Sequence, residues 1–359
     1  MTKNNLYIDI HAIETVPPSN INRDDAGSPK TALYGGAPRS RVSSQAWKKV
    51  MRDYFVEHLD ENKLGIRTLE LVKYIADKIQ NIDSSIDDDK SMEMAETVIS
   101  KLGIKMTTSK SDNVKKHKVL KALFFIGNQQ ANDLANAAIN GVSDKKELAE
   151  ILKSNPAVDI TLFGRMVADD PNLNEDASAQ VSHAISTHAV RTEFDFFTAT
   201  DDFSQSGHSG AGMLGTTEYN SSTLYRYANI SGHELLRQLG SKEDTVKAIN
   251  LFIKAFAKTM PSGKITSFAN QTLPQSLVVT IRKDRPVNLV TGFEKPVASN
   301  DGYVNESIQR LSNEFDKASK WVDSPEATLS IGMPDSFGNN NNNLDELLDK
   351  VSSKLNSLL

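Results

Sequence analysis

The sequence predicts an α+β fold in which a large helical insertion interrupts a sheet. Two observations predict it: strand-like stretches stand toward both ends of the chain, and the residues between them follow a helical period. With 359 residues, 38% of them hydrophobic and 24% charged, the composition is that of an ordinary globular protein, long enough for two domains or for one domain with an insertion.

Residues 6–13, LYIDIHAI, alternate apolar and polar positions and read as a half-buried strand. The polar ETVPPSNINRDDAGSPK that follows reads as a loop. In SSQAWKKVMRDYF, Ser43 or Ser44 offers an N-cap, and helical phase then sorts the side chains. Trp47, Val50, Met51 and Tyr54 share one face, whereas Gln45, Lys48, Lys49 and Arg52 share another about 200° away. From residue 56 to about 167 apolar residues recur at helical spacing: Leu69, Val72, Ile75 and Ile79, then Val119, Leu120, Leu123 and Phe124. The acidic DSSIDDDK between two of these helices reads as a solvated loop.

After Phe194 the character changes. EFDFFTAT and TTEYNSSTLYRYANI are rich in β-branched and aromatic residues and flank the turn-rich SQSGHSGAGMLG, which together read as a long β-hairpin. A helix is expected over 232–260, strands at KITSFAN and SLVVTI, and a helix around 304–322. A last helix follows the asparagine run, with Asn343 as N-cap, Glu346 behind it, and a stripe of Leu344, Leu347, Leu348, Val351 and Leu355. The asparagine run itself reads as a loop.

Charge narrows the function. The chain carries a formal net charge of −5, yet residues Gly27 to Arg52 hold six Lys or Arg and no Asp or Glu. Such a patch, with serine hydroxyls and free N–H groups at a helix start, suits the phosphate backbone of a polyanion. Zero cysteines exclude disulfides, thiolate metal sites and cysteine nucleophiles, and fit a cytoplasmic setting. The first residues lack a basic and then apolar leader, and no long apolar run suggests a membrane span.

Several stretches taken together, NRDDAGSPKTALYGGAPRSRVSSQAWKKVMR (22–52), GRM (164–166), AISTH (184–188), DFFTATDD (195–202), LGTTEYNSSTLYRYANI (214–230) and GFEKPV (292–297), closely resemble the CasC family, backbone subunits of type I-E CRISPR surveillance complexes (Cascade). The resemblance implies an RRM-like, ferredoxin-like palm, helical fingers and a β-hairpin thumb. On that reading residues 1–55 are the first part of the palm with the basic helix, 56–180 the fingers, and 181–359 the second part of the palm, with the thumb hairpin at 193–230. It implies a non-catalytic, cofactor-free subunit that polymerises along a CRISPR guide RNA, in a hexameric backbone with other Cascade subunits, and presents the guide to a target DNA strand for antiviral defence. The matching positions implied to bind RNA are Arg23, Lys30, Ser43, Gln45, Lys48, Lys49, Arg52, Arg165, Met166 and Phe197. The chain departs from the family pattern at Phe196, where a tryptophan can stand, and in a longer, glycine-richer hairpin tip. Delegating sequence reading to base pairing leaves the protein a need for phosphate contacts without base readout.

Competing signals are weaker. GAGMLG (210–215) matches a dinucleotide-binding fingerprint in letters only, because the flanking strand and helix are missing. Asp24 and Asp25 are the one carboxylate pair beside the basic loop, and an enzyme alternative is a metal-dependent ribonuclease using them; the structural alternative is a pair that orders the loop. His183 and His188 lack a third ligand for zinc. A general single-strand binder unconnected with guides is a further rival.

Overall fold

The computed structural model describes residues 5–109, 117–199 and 213–359. Two compact units divide the chain: Met1–Met51, Val181–Ser231 and Ile249–Leu359 form one, Arg52–Gln180 and Gly232–Ala248 the other.

The first unit is built on a large antiparallel sheet. Its strands include β1 (Tyr7–Ser19), β2 (Thr31–Tyr34), β3 (Ala37–Val42), β4 (Ala184–Ser186), β5 (Glu193–Ala199), β6 (Met213–Ser231), β7 (Ser276–Arg282) and β8 (Ala327–Ile331). They run in the spatial order β8-β7-β1-β6-β4-β3-β2, with β5 paired to β6. The mixed α+β class expected from the sequence is the one observed.

Strand β1 is central, and both of its faces are buried rather than one. Ile8, Ile10 and Ala12 are fully covered, and so are Asp9 and His11 on the alternate face. Those polar side chains are tolerated because they are satisfied: Asp9 accepts from the Tyr227 hydroxyl at 2.7 Å and from Asn229 at 3.0 Å, and His11 Nδ1 lies 2.9 Å from the Tyr225 hydroxyl. The strand also continues through the expected loop at Glu14–Ser19, its pairing with β6 shifting register between Val16 and Ser19, where two prolines cannot donate.

Helix α1 (Ser44–His58) packs Trp47 with Val16, Val42, Ala184, Leu224 and Met260 on one side of the sheet. Its buried stripe is Trp47, Met51 and Phe55; Val50 and Tyr54 are half-buried at the flank. On the other side, Ile13, Tyr225, Tyr227 and Val278 meet Leu311 of the helix Val304–Ala318. The Trp47 indole stacks on the guanidinium of Arg226, which is 3.7 Å from the ring centroid, and Phe256 flanks the same cation at 4.4 Å. Arg226 is itself ion-paired to buried Glu14. The final helix, Leu344–Leu358, starts as expected: Asn343 Oδ1 accepts from the Glu346 amide at 2.9 Å.

The second unit is helical around a core of Leu71, Val72, Ile75 and Ile79 with Leu134, Leu148 and Leu152. Val119–Phe124, expected in a helix, instead supplies two short strands, Lys118–Leu120 and Phe124–Gly127. Lys121–Leu123 between them is exposed, and the continuous buried run lies in Phe124–Gly127, which reads equally well as a short strand. Residues 232–260 form two helices, Gly232–Leu239 and Lys242–Lys258, broken at Gly240–Ser241. The first of these sits with the second unit, where Gln238 donates to Glu175 Oε1 at 2.8 Å and to the Asp176 carbonyl at 2.7 Å. KITSFAN is a helical turn, Ile265–Phe268, closed at each end by Lys264 and Ala269 in the left-handed conformation, and not a strand. The expected hairpin tip and the GAGMLG motif lie outside the described residues up to position 212.

Candidate nucleic-acid interface

The loop between β1 and β2 is held by its own polar side chains. Asn20 Nδ2 donates to the Gly27 carbonyl at 2.9 Å and to the Glu218 carbonyl of β6 at 2.8 Å. Asn22 Oδ1 accepts from the Ser43 amide at 2.9 Å, while its carbonyl accepts from the Lys30 amide at 2.9 Å. Asp24 Oδ1 accepts from the amides of Ala26 (3.0 Å) and Ser28 (2.9 Å), an Asx-type turn in which the carboxylate orders the loop. Arg23, Asp24 and Asp25 are exposed on this ordered loop, and Lys30 is half-buried at its end.

Ser43 is buried and caps α1: its Oγ accepts from the Ala46 amide at 3.3 Å. Gln45 and Lys49 are exposed and Lys48 is half-buried, so two lysines follow a first turn that carries no acid. The helix's N-terminal amides and these cations both contribute positive charge to this part of α1.

The five cations of residues 37–52 divide by task. Arg39 is fully buried and structural, its guanidinium donating to the carbonyls of Ser186 (2.8 Å), Phe293 (2.9 Å) and Glu294 (3.0 Å). Arg52 belongs to the second unit, where its Nε donates to Asp159 at 3.1 Å and its guanidinium lies 4.4 Å from the Phe125 ring centroid. Burial pushes the Asp159 carboxyl up, and the Arg52 charge pulls it back. Arg41, Lys48 and Lys49 remain as surface cations, and Arg41 is one that sequence phase alone did not single out. Its Nη1 donates to His183 Nδ1 at 3.0 Å. His188 serves the sheet instead, accepting from the Thr223 amide at Nε2 and stacking on Tyr303. Among the described residues no group of three or more His, Asp or Glu is placed to hold a metal ion.

The tripeptide Gly164-Arg165-Met166 divides equally clearly. Gly164 ends the helix Val158–Phe163 with φ of +78°, and a Cβ there would meet the Glu175 carbonyl and Ala177 at 3.0–3.2 Å. Arg165 is buried, with donors to the carbonyls of Leu173 (3.0 Å) and Leu152 (2.8 Å) and to Gln130 Oε1 (3.2 Å); burial lowers its proton affinity, to about 10. An RNA-contacting guanidinium was expected there, and the structure places every one of those donors inside the helical unit. Met166, by contrast, is 82% exposed.

On the hairpin, Phe194 and Phe196 lie on one face of β5 and Phe197 on the other; all three are exposed. Phe197 pairs across the ladder with Gly215, and its ring covers that glycine: a Cβ on Gly215 would sit 2.3 Å from Phe197 Cζ.

No helix among the described residues is long and apolar enough to cross a membrane. The profile of the CT1975-like protein family matches residues 8–354. A chain of the solved "CRISPR RNA-guided surveillance complex, pre-nicking" is 30% identical, with a TM-score of 0.84, over 98% of this chain and all of that one. A chain of a "CRISPR RNA-guided surveillance complex" is 27% identical, with a TM-score of 0.76, over 97% of this chain and 99% of that one. No curated protein matches.

Proposed function

We propose, from the premise that this chain belongs to the CT1975-like protein family, that it is a CRISPR guide-RNA-binding subunit of a Cascade-type surveillance complex. One observation carries the reading: on a chain of net charge −5, the acid-free stretch 27–52 brings Lys30, Arg41, Lys48 and Lys49 to accessible positions on a capped helix start and the strands before it, next to an ordered loop that exposes Arg23. Likeness over nearly its whole length to chains of RNA-guided complexes supports RNA as the polyanion.

The finer reading is a type I-E backbone subunit. Copies, six in the complex, line up along one guide, contact the other Cascade subunits and offer the bases to a target DNA strand. Met166 and Phe197 interrupt the guide's base stack, and the cations hold phosphates whatever the sequence. The subunit is cytoplasmic and cuts nothing. The engagement of Asp24 by two backbone amides favours a loop-ordering role over metal-assisted cleavage.

Purification tests the proposal: the protein should carry RNA of one discrete length, released by high salt and left intact by Mg²⁺. RNA of random lengths would make it a general single-strand binder, and Mg²⁺-dependent cleavage lost in Asp24→Asn would make it a nuclease.

A further inference from the structure

Beside the loop that ends at Lys30, three groups able to carry positive charge converge. Arg41 donates from its backbone amide to the Lys30 carbonyl at 2.9 Å, from Nε to the Thr31 carbonyl at 3.2 Å, and from Nη1 to His183 Nδ1 at 3.0 Å. Lys30 and Arg41 line one shallow notch together with Asn22, Ser40 and Ser222. His183 stands exposed in the turn that leads into β4. A guanidinium has donors and no acceptor, so an imidazole accepting from it at Nδ1 is neutral. Among the described residues the charged groups acting on His183 are Arg41 from β3 and Lys30 from the loop before β2, and the neighbouring Ser182 and Ala184 carry no charge. Partial burial, then those two cations, hold the imidazole below its ordinary proton affinity.

We infer that His183 is a proton-linked phosphate ligand: a phosphate of bound RNA takes over the Arg41 donors, and the released imidazole takes a proton from solvent and donates to the same phosphate. This rests on the RNA-binding reading above and adds its regulation. Replacing a cation's N–H by an anion at Nδ1 reverses the local electrostatics, because an opposite charge within hydrogen-bond reach favours the protonated ring. The complex then holds more protons than its separated parts. Affinity must rise as pH falls through the region around the ordinary histidine value, by at most about tenfold per pH unit for one proton taken up. Lysines and arginines, charged throughout this range, contribute no such slope.

The test is fluorescence anisotropy of the full chain on a guide-length RNA from pH 5.5 to 8.0 at constant ionic strength, for the parent and His183→Gln. The parent is expected to tighten several-fold between pH 8 and 6, with the variant matching it at pH 8 and staying nearly level. An NMR titration of the His183 ring, free and RNA-bound, reads the same proton directly and should move upward on binding. A variant with the parent's slope, or one weakened equally at every pH, overturns the inference. Absence of RNA binding by the parent at every pH is a different result, one that removes the RNA reading and this inference together.

Discussion

Arg165 and Met166 are adjacent in sequence and opposite in environment: the guanidinium is buried against carbonyls of its own unit, and the next side chain is 82% exposed. The backbone of Arg165 is bridged in both directions to Glu175, at 2.9 and 2.8 Å, and the amide of Val167 donates to Asn174 Oδ1 at 2.6 Å. Met166 is therefore the apex of a braced turn. Arg165→Ala strands several buried carbonyls and should cost about 3 kcal/mol of stability. Met166→Ala should stay within about 0.5 kcal/mol of the parent while altering the RNA complex. Denaturant melts of the two variants check the pair.

Lys48 and Lys49 should act through charge alone. Replacing both with alanine should weaken RNA binding for any base sequence and flatten the plot of log K against log salt by about 0.7 per lost phosphate contact. Equal loss across unrelated RNA sequences, with the reduced slope, is the expected result.

Arg52 should behave differently from these lysines. Arg52→Ala leaves Asp159 buried without its cation and should lower stability by about 3 kcal/mol. Its salt slope for RNA should remain that of the parent, a contrast measurable on the same protein preparation.

Phe197 and Gly215 offer a paired test of the hairpin. In Gly215→Ala the new methyl falls within 2.3–2.9 Å of the Phe197 ring, which must swing away. Nuclease protection along bound RNA should lose its periodicity in Gly215→Ala much as in Phe197→Ala, although the first variant keeps its phenylalanine. A regular pattern in both would assign the ring to hairpin packing alone.

The β1 face of Asp9 and His11 should titrate with opposing signs. Burial pushes Asp9 up to about 6, so between about 3.8 and 6 the folded state holds the extra proton and gains stability as pH falls. Burial, with Arg282, pushes His11 down to about 3, so from 6.5 downward the unfolded state holds the extra proton and stability is lost. Asp9→Asn removes the compensating carboxyl. The Tm of that variant should fall relative to the parent as pH drops from 6 to 4.

Periodicity made some features readable in advance. The Trp47–Met51 face and the Asn343 cap with its leucine stripe follow from helical phase and one short polar side chain, both local properties. The two prolines at 17 and 18 hid the end of β1, because a bulge that admits them depends on the partner strand. Val119–Phe124 misled because two apolar pairs four apart match a helix as well as two short strands, and KITSFAN because its β-branched residues suit a strand while two left-handed residues impose a turn. The basic stretch was legible as charge but not as contact: nothing local says that the Arg39 donors reach carbonyls distant in sequence, nor, outside that stretch, that the Arg165 guanidinium turns inward. The pairing of His183 with Arg41 is equally invisible locally, since the two lie 142 residues apart.

The Arg226 guanidinium, held between Trp47 and Phe256 and neutralised by Glu14, locks the rotation of α1 about its own axis. A quarter-turn of that helix would carry Lys48 and Lys49 off their present bearing, and it would require unstacking a desolvated cation. On the RNA-binding reading proposed above, the helix meets its ligand already aimed, and little rotational entropy is lost on binding. Loosening that clamp should slow productive encounter more than it weakens any single contact, an effect visible in association rates before it is visible in equilibrium affinity.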